Sequence, residues 1–451
     1  MSIKLATKNH RSPADYMAYI CLGIFVLLPF HAFFTTWAGS TFGHIDIFRI
    51  WKEIIIFGLS VGCVALLLQH GKLRKKLFGS GLFLLICLYA LLALLRTLYG
   101  YYSGVLVIEP LIFGALAGLR YFLFFVVVWA IASKSSLLKR YWAHAVLTPA
   151  TIVVLFGVLQ QTVLDKNFLS HFGYSGQTVP AFQNIDSKSD YVRIQSFLRG
   201  PNPLGAYLVF VITFLVDYWY GIKRKRLIIG LVGFGAVYVL FNTFSRSAWV
   251  GALISLFVWV LLTIKSKKVA RNILLFACSI VLVVSMTVFA FRNNDYIQNT
   301  FFHTDETSQS VQSSNAARTN AIAKGARDVL NHPLGQGLGS AGPASARGAN
   351  PKIAENYYIQ VAQETGVFGL VIFIFIIILV GKDLYKKRDQ DLARVLLASL
   401  AGLVFINFVS HAWMDDTISL LWWGLAGIAV AQSVTIKNNR HGNQAKNQKA
   451  S

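Results

Sequence analysis

Eleven basic residues lie on segments that the charge pattern assigns to one face of a run of apolar spans, and seven of them are arginines: Arg193, Arg199, Arg246, Arg292, Arg318, Arg327 and Arg347. A guanidinium is planar and permanently charged, and it can grip a phosphate or carboxylate with two parallel hydrogen bonds. The set therefore points to an anionic ligand, with ordinary surface arginine as the plain alternative. Context sets three of them apart. Arg199 stands in SFLRGPNPLGAYL, where Gly-Pro and Asn-Pro make a rigid turn into a helix. Arg246 stands in NTFSRSAWVG between two spans with almost no loop to carry it into water. A charge at the bilayer boundary is costly, so it marks function unless it snorkels to the headgroups. Arg318 opens an external stretch and can point at the same space.

Carboxylates and an imidazole supply the proton chemistry. Glu355 and Asn356 begin ENYYIQVAQETGVFGL directly ahead of a span. Glu355 could act as a general base or pair with the dipole of the helix that follows. Glu364, farther along that helix, needs a partner. Tyr357, Tyr358 and Gln360 could line a sugar site or mark the interfacial aromatic belt. His411 with Asp415 and Asp416, in SHAWMDD, offers a second base or an ordinary boundary cluster. PLGQGLGS has glycines but no preceding strand and no following Lys-Ser/Thr, so neither nucleotide fingerprint is met and it reads as an external turn. No HExxH or G-x-S-x-G pattern and no DxD repeat of the metal-nucleotide kind occurs, and nothing calls for a metal or cofactor.

These residues must be held by membrane helices. Of 451 residues 55% are hydrophobic and only 14% charged, against about 25% charged in a soluble domain. Segments long enough to cross a bilayer run near 16–34, 47–68, 77–99, 107–131, 141–164, 203–221, 227–244, 247–264, 271–291, 357–381, 393–411 and 416–435. The chain is therefore expected to be one all-α polytopic domain over 1–451 with about twelve transmembrane helices. The polar, basic start followed by a long apolar segment predicts an anchored first helix rather than a cleaved leader. With the N-terminus inside, 27 of the 42 Lys and Arg fall on cytoplasmic segments, including the tail 436–451. The positive-inside rule then places both ends in the cytoplasm. The net charge of +23 is a topology signal, with no nucleic-acid partner implied. Four cysteines, all in apolar segments, give no disulfide framework. Two external segments exceed the usual short connections, 165–202 and 292–356, the second carrying a short surface helix with Asn315 as its cap.

Taken together, the PNPLGAYL segment with Arg199, the Ser-Arg-Ser-Ala-Trp turn at 245–249, the stretch from Arg318 to HPLGQGLGS and ENYYIQVAQETGVFGL resemble the O-antigen ligase and O-antigen polymerase superfamily in order and spacing. The resemblance spans 190–375 by motif and the whole chain by topology. It implies transfer of a glycan from undecaprenyl diphosphate to an acceptor hydroxyl, outside a bacterial cytoplasmic membrane and without metal or nucleotide. It further implies that Arg199, Arg246 and Arg318 hold the diphosphate and that Glu355 stands where many ligases carry a histidine base. Arg193, Asn202, Asn356 and Tyr358 stand with Arg199 as substrate-binding candidates. The Glu355 departure favours a polymerase, or a relative acting on capsular or teichuronic-type polymers, over a lipid A–core ligase. The competing reading is a transporter or flippase of lipid-linked oligosaccharides. It needs more charge within the spans than Arg96, Arg120, Glu109, Lys52 and Glu53 supply. Lys52 and Glu53, one apart on a helix, are expected to diverge and to seek other partners.

Overall fold

A computed structural model describes residues 12–185, 188–222, 225–294, 297–298 and 314–431. The expected tail 436–451, the basic start and Asn315's side chain lie outside the described residues. The protein is all-α, and each of the twelve expected spans is a helix. Nine are long and apolar enough to cross a membrane among the described residues. The first of these joins α1 (Pro13–Leu27) through a 3-10 turn to α2 (His31–Phe42). A short α3 (Ile45–Arg49) leads to α4 (Trp51–Gln69), an amphipathic α5 (Gly71–Phe78), α6 (Gly81–Tyr102), α7 (Ile108–Ala132) and α8 (Leu137–Thr162). Then come α9 (Pro201–Gly221), α10 (Arg226–Asn242), α11 (Arg246–Thr263), α12 (Lys267–Ala290) and α13 (Ser314–Asn331). The chain closes with α14 (Tyr357–Lys386), α15 (Asp391–Asn407) and α16 (Asp416–Ala431).

Burial sorts the helices by their neighbours. Every residue of α16 from Thr417 to Ala431 is buried, so α16 is the axis of the bundle. Its Trp423 packs on Tyr121, Phe122 and Phe125 of α7, with edge-on ring contacts such as Phe122–Trp423 at 4.8 Å between centroids. At the opposite extreme α12 buries only Ala270, as an apolar helix surrounded by lipid would. Between 163 and 200 a 3-10 turn (Phe168–Phe172) and a small antiparallel hairpin, β1 (Gln183–Ile185) with β2 (Lys188–Arg193), fold back over the helix ends. Leu169, Tyr174, Val179 and Ala181 make their own apolar cluster there, against Phe33 and Phe156.

The glycine-rich segment after α13 departs from the expected external turn. It is wedged among helices: Leu338 is fully buried, and its N–H donates to Thr97 Oγ1 of α6 at 2.9 Å. The wedge breaks α14 at Gly366, whose φ of +76° lies in the left-handed region. Breaking a helix orphans carbonyls, and here the wedge supplies their donors. Gln336 N–H donates to the Gln363 carbonyl and Gly337 N–H to that of Glu364, both at 2.8 Å, while Val367 N–H donates to Pro333 O at 2.9 Å. Glu364 thereby finds the partner the sequence demanded: its Oε1 accepts from Gly339 N–H at 3.0 Å.

Candidate functional site

One cavity of about 460 Å³ opens where α2, α4, α7, α9 and the connection ahead of α16 converge with the segment ahead of α14. Its floor is ionic. Asp416 accepts from Lys52 Nζ at 2.8 Å and His31 Nε2 at 3.0 Å, and also pairs with Arg120. Arg120 reaches Glu53 at 2.9 Å, and Lys52 bridges to Glu53 at 3.1 Å. Lys52 and Glu53 therefore find the outside partners expected of them, yet they also touch each other, because the flexible lysine stem folds back to share Asp416. Trp51 Nε1 donates to His31 Nδ1 at 2.9 Å, which leaves Nε2 as the nitrogen facing Asp416. Two cations balance two anions, so the floor is charge-neutral and ties four helices together. Lys52 is 1% exposed. Such a set is costly to break from one side, on the order of 3–5 kcal/mol per uncompensated charge.

The rim is not balanced. Arg49, Arg199 and Arg347 all line the cavity. Arg347 is held by Glu109 at 2.6 Å and Asp46 at 3.0 Å and lies 3.6 Å from the centre of the Phe113 ring. Those two carboxylates raise its pKa against the opposing effect of burial. Arg49 shares Asp46 at 3.3 Å, and burial together with the facing Arg199 lowers its pKa. Arg199 is exposed in the turn before α9. Like-charged groups converging on one space favour an anion between them.

Of the sequence candidates, the structure brings Arg199, Asn202 and Glu355 onto this cavity. Asn202 is set by Arg193, whose Nη2 donates to Asn202 Oδ1 at 2.7 Å while Nε donates to the Thr243 carbonyl at 2.9 Å. Arg318, on α13, grips Glu355 from just outside the lining, with Nε at 3.3 Å and Nη2 at 3.2 Å from the same Oε2. Arg246, Asn356 and Tyr358 are not among the lining residues. Arg246 opens α11 at a neighbouring helix end. Asn356 caps α14, accepting from Ile359 N–H at 3.1 Å, and its Nδ2 donates to the Phe408 carbonyl at 2.9 Å. Tyr358 donates to Val404 O at 3.0 Å.

His411 and Asp415 also reach the cavity. Burial lowers the His411 pKa to about 4, with Glu355 acting to raise it and Arg318 to lower it. Burial and the neighbouring Asp416 push Asp415 up to about 6. Sequence reasoning missed Arg49 and the neutral floor, and it counted Arg347 in the external arginine set without singling it out. Arg49 was hidden because the span expected from 47 begins only at Trp51, after a separate short helix. Among the described residues no cluster of three or more His, Cys, Asp or Glu side chains could hold a metal ion. The arrangement can therefore seat an anion at a cationic rim, beside a neutral imidazole and a carboxylate able to handle a proton.

Residues 231–374 match the family model described as O-antigen ligase. An O-antigen polymerase of Salmonella muenchen is 25% identical over 228 residues, covering 48% of this chain and 55% of that protein. The chain thus spans about half the length of the curated relative it matches.

Proposed function

Because the chain belongs to the O-antigen ligase and O-antigen polymerase superfamily, we propose that it is a membrane glycosyltransferase working on the external face of a bacterial cytoplasmic membrane. It moves a glycan from undecaprenyl diphosphate to an acceptor hydroxyl, on a further glycan or a lipid-linked glycan. The rim arginines seat the diphosphate, and the acceptor enters beside Glu355 and His411. The observation that carries this reading is the convergence of Arg49, Arg199 and Arg347 on one cavity that also holds Glu355 and His411. Attack by the hydroxyl on the anomeric carbon breaks its bond to the diphosphate oxygen and inverts the configuration. Charge then develops on the leaving phosphate, where pre-placed guanidinium groups stabilise the transition state. A flippase would carry the same lipid without releasing it.

The test is release of the carrier. The full chain in liposomes receives the lipid-linked glycan that accumulates when the source bacterium lacks this chain, and undecaprenyl diphosphate is followed by mass spectrometry. Arg199→Ala and Arg49→Ala are expected to cut turnover roughly 10²-fold or more, the scale of losing one transition-state donor. Lysine at either position should restore only part of it, since the bidentate grip is gone. Near-normal turnover in both alanine variants would sink the diphosphate seat.

A further inference from the structure

Resting on the glycosyl-transfer reading, we propose that the imidazole of His411, and not the Glu355 carboxylate, takes the proton of the acceptor hydroxyl. Glu355 stabilises the imidazolium so formed, and Asn356 and Tyr358 are positioning residues that keep the two together.

Glu355 is poorly placed to be the base. Both of its bonds to Arg318 fall on one oxygen, at 3.2 and 3.3 Å. The Arg318 guanidinium thus occupies that oxygen, so an acceptor hydroxyl would have to displace a bonded cation to reach it. Its backbone is also unusual for a non-glycine residue, with φ at +56°.

His411 has the opposite character. Its ring lines the cavity, and its Nε2 is buried with no hydrogen-bond partner. Buried polar atoms are nearly always satisfied, and one left open asks for an explanation. Because burial keeps the ring neutral at physiological pH, one ring nitrogen is always available to accept. Donor binding would also strengthen it. A diphosphate that draws Arg318 away removes the group that lowers the His411 pKa and leaves Glu355, the group that raises it.

The chain after Glu355 is fastened to the chain before His411. Asn356 Nδ2 donates to the Phe408 carbonyl at 2.9 Å, Tyr358 donates to Val404 O at 3.0 Å, and the Tyr358 and Phe408 rings lie 4.5 Å apart. This is a framework role for the two residues. In the step itself the hydroxyl oxygen bonds to the anomeric carbon while its proton passes to the imidazole. The anomeric carbon–oxygen bond breaks, and its electron pair leaves on undecaprenyl diphosphate.

In the same liposome assay, with rates taken per inserted protein, His411→Gln should lose roughly 10²–10⁴-fold, the usual worth of a general base. His411→Ala should lose as much and regain turnover with added imidazole, which a merely structural histidine would not do. Glu355→Gln should lose less than His411→Gln, because the base itself remains. A His411→Gln enzyme within about threefold of wild type, or a Glu355→Gln enzyme slower than His411→Gln, would overturn the assignment. Those outcomes leave the parent reading standing. A wild-type chain that releases no undecaprenyl diphosphate would overturn the parent reading, and this assignment with it.

Discussion

His411 and Asp415 sit four residues apart, and burial acts on them in opposite directions. The imidazole pKa falls from 6.5 to about 4, so its contribution to stability is complete above 6.5 and is lost as pH falls toward 4. The carboxyl pKa rises from 3.8 to about 6, so its contribution is complete below 3.8 and is lost as pH rises through 6. Each is worth a few kcal/mol at most, at about 1.4 kcal/mol per unit. Glu355 and Arg318 face the first group; Asp416, Arg199 and Arg120 face the second. Across pH 4–6 the two slopes oppose each other, and wild-type thermal stability should change little from this pair. Asp415→Asn removes one of them. Its melting temperature in detergent should then fall on acidification from about pH 6.5 to 4, relative to wild type. A difference curve that stays flat would mean that the Asp415 carboxyl is hydrated and titrates normally.

At the scale of elements, the broken α14 decides where the site can be. Its first turns, Tyr357 to Thr365, stop at Gly366, and the wedge of 333–339 fills the gap. A Cβ at Gly366 would come within 2.5 Å of the Leu334 carbonyl carbon, with φ already at +76°. Gly366→Ala should therefore cost more than the roughly 1–2 kcal/mol of left-handed strain alone. The check is a lowered unfolding temperature together with lost turnover, because Pro343, Ala344 and Arg347 of the cavity wall hang from this wedge. Unchanged stability would mean that the helix can straighten without the wedge. Hydropathy made the twelve helices legible, since 20 apolar residues have few other homes. The wedge was not legible. PLGQGLGS carries no period of its own, and its place depends on partners such as Thr97 and Glu364, 241 and 25 residues away from those they bond. The site was half legible for the same reason. Arg199 and Glu355 announce themselves beside turns, while Lys52, Arg120 and Asp416 gain meaning only once four helices bring them together.

At the scale of the whole molecule, charge divides the bundle into two unlike ends. At the end bearing the basic connections, Lys387 Nζ caps the last carbonyls of α16, at 2.6 Å from Val430 O, and Arg394 pairs with Asp217 at 2.6 Å. A cation at a helix C-terminus is favourable. Here it is also on the side where the positive-inside rule retains it. The opposite end holds the cavity, and its arginines are set by turns and carboxylates rather than by topology. If that end is external, Gln177→Cys in the loop after α8 should react with a membrane-impermeant maleimide in intact cells. Ser136→Cys, ahead of α8, should react only after lysis. Both positions are exposed. The four native cysteines lie within helices, so they can be replaced by alanine first, without touching the cavity. A reversed labelling pattern would turn the cavity toward the cytoplasm. It would remove the external transferase reading, because donor and acceptor would then have to meet on the other side of the bilayer.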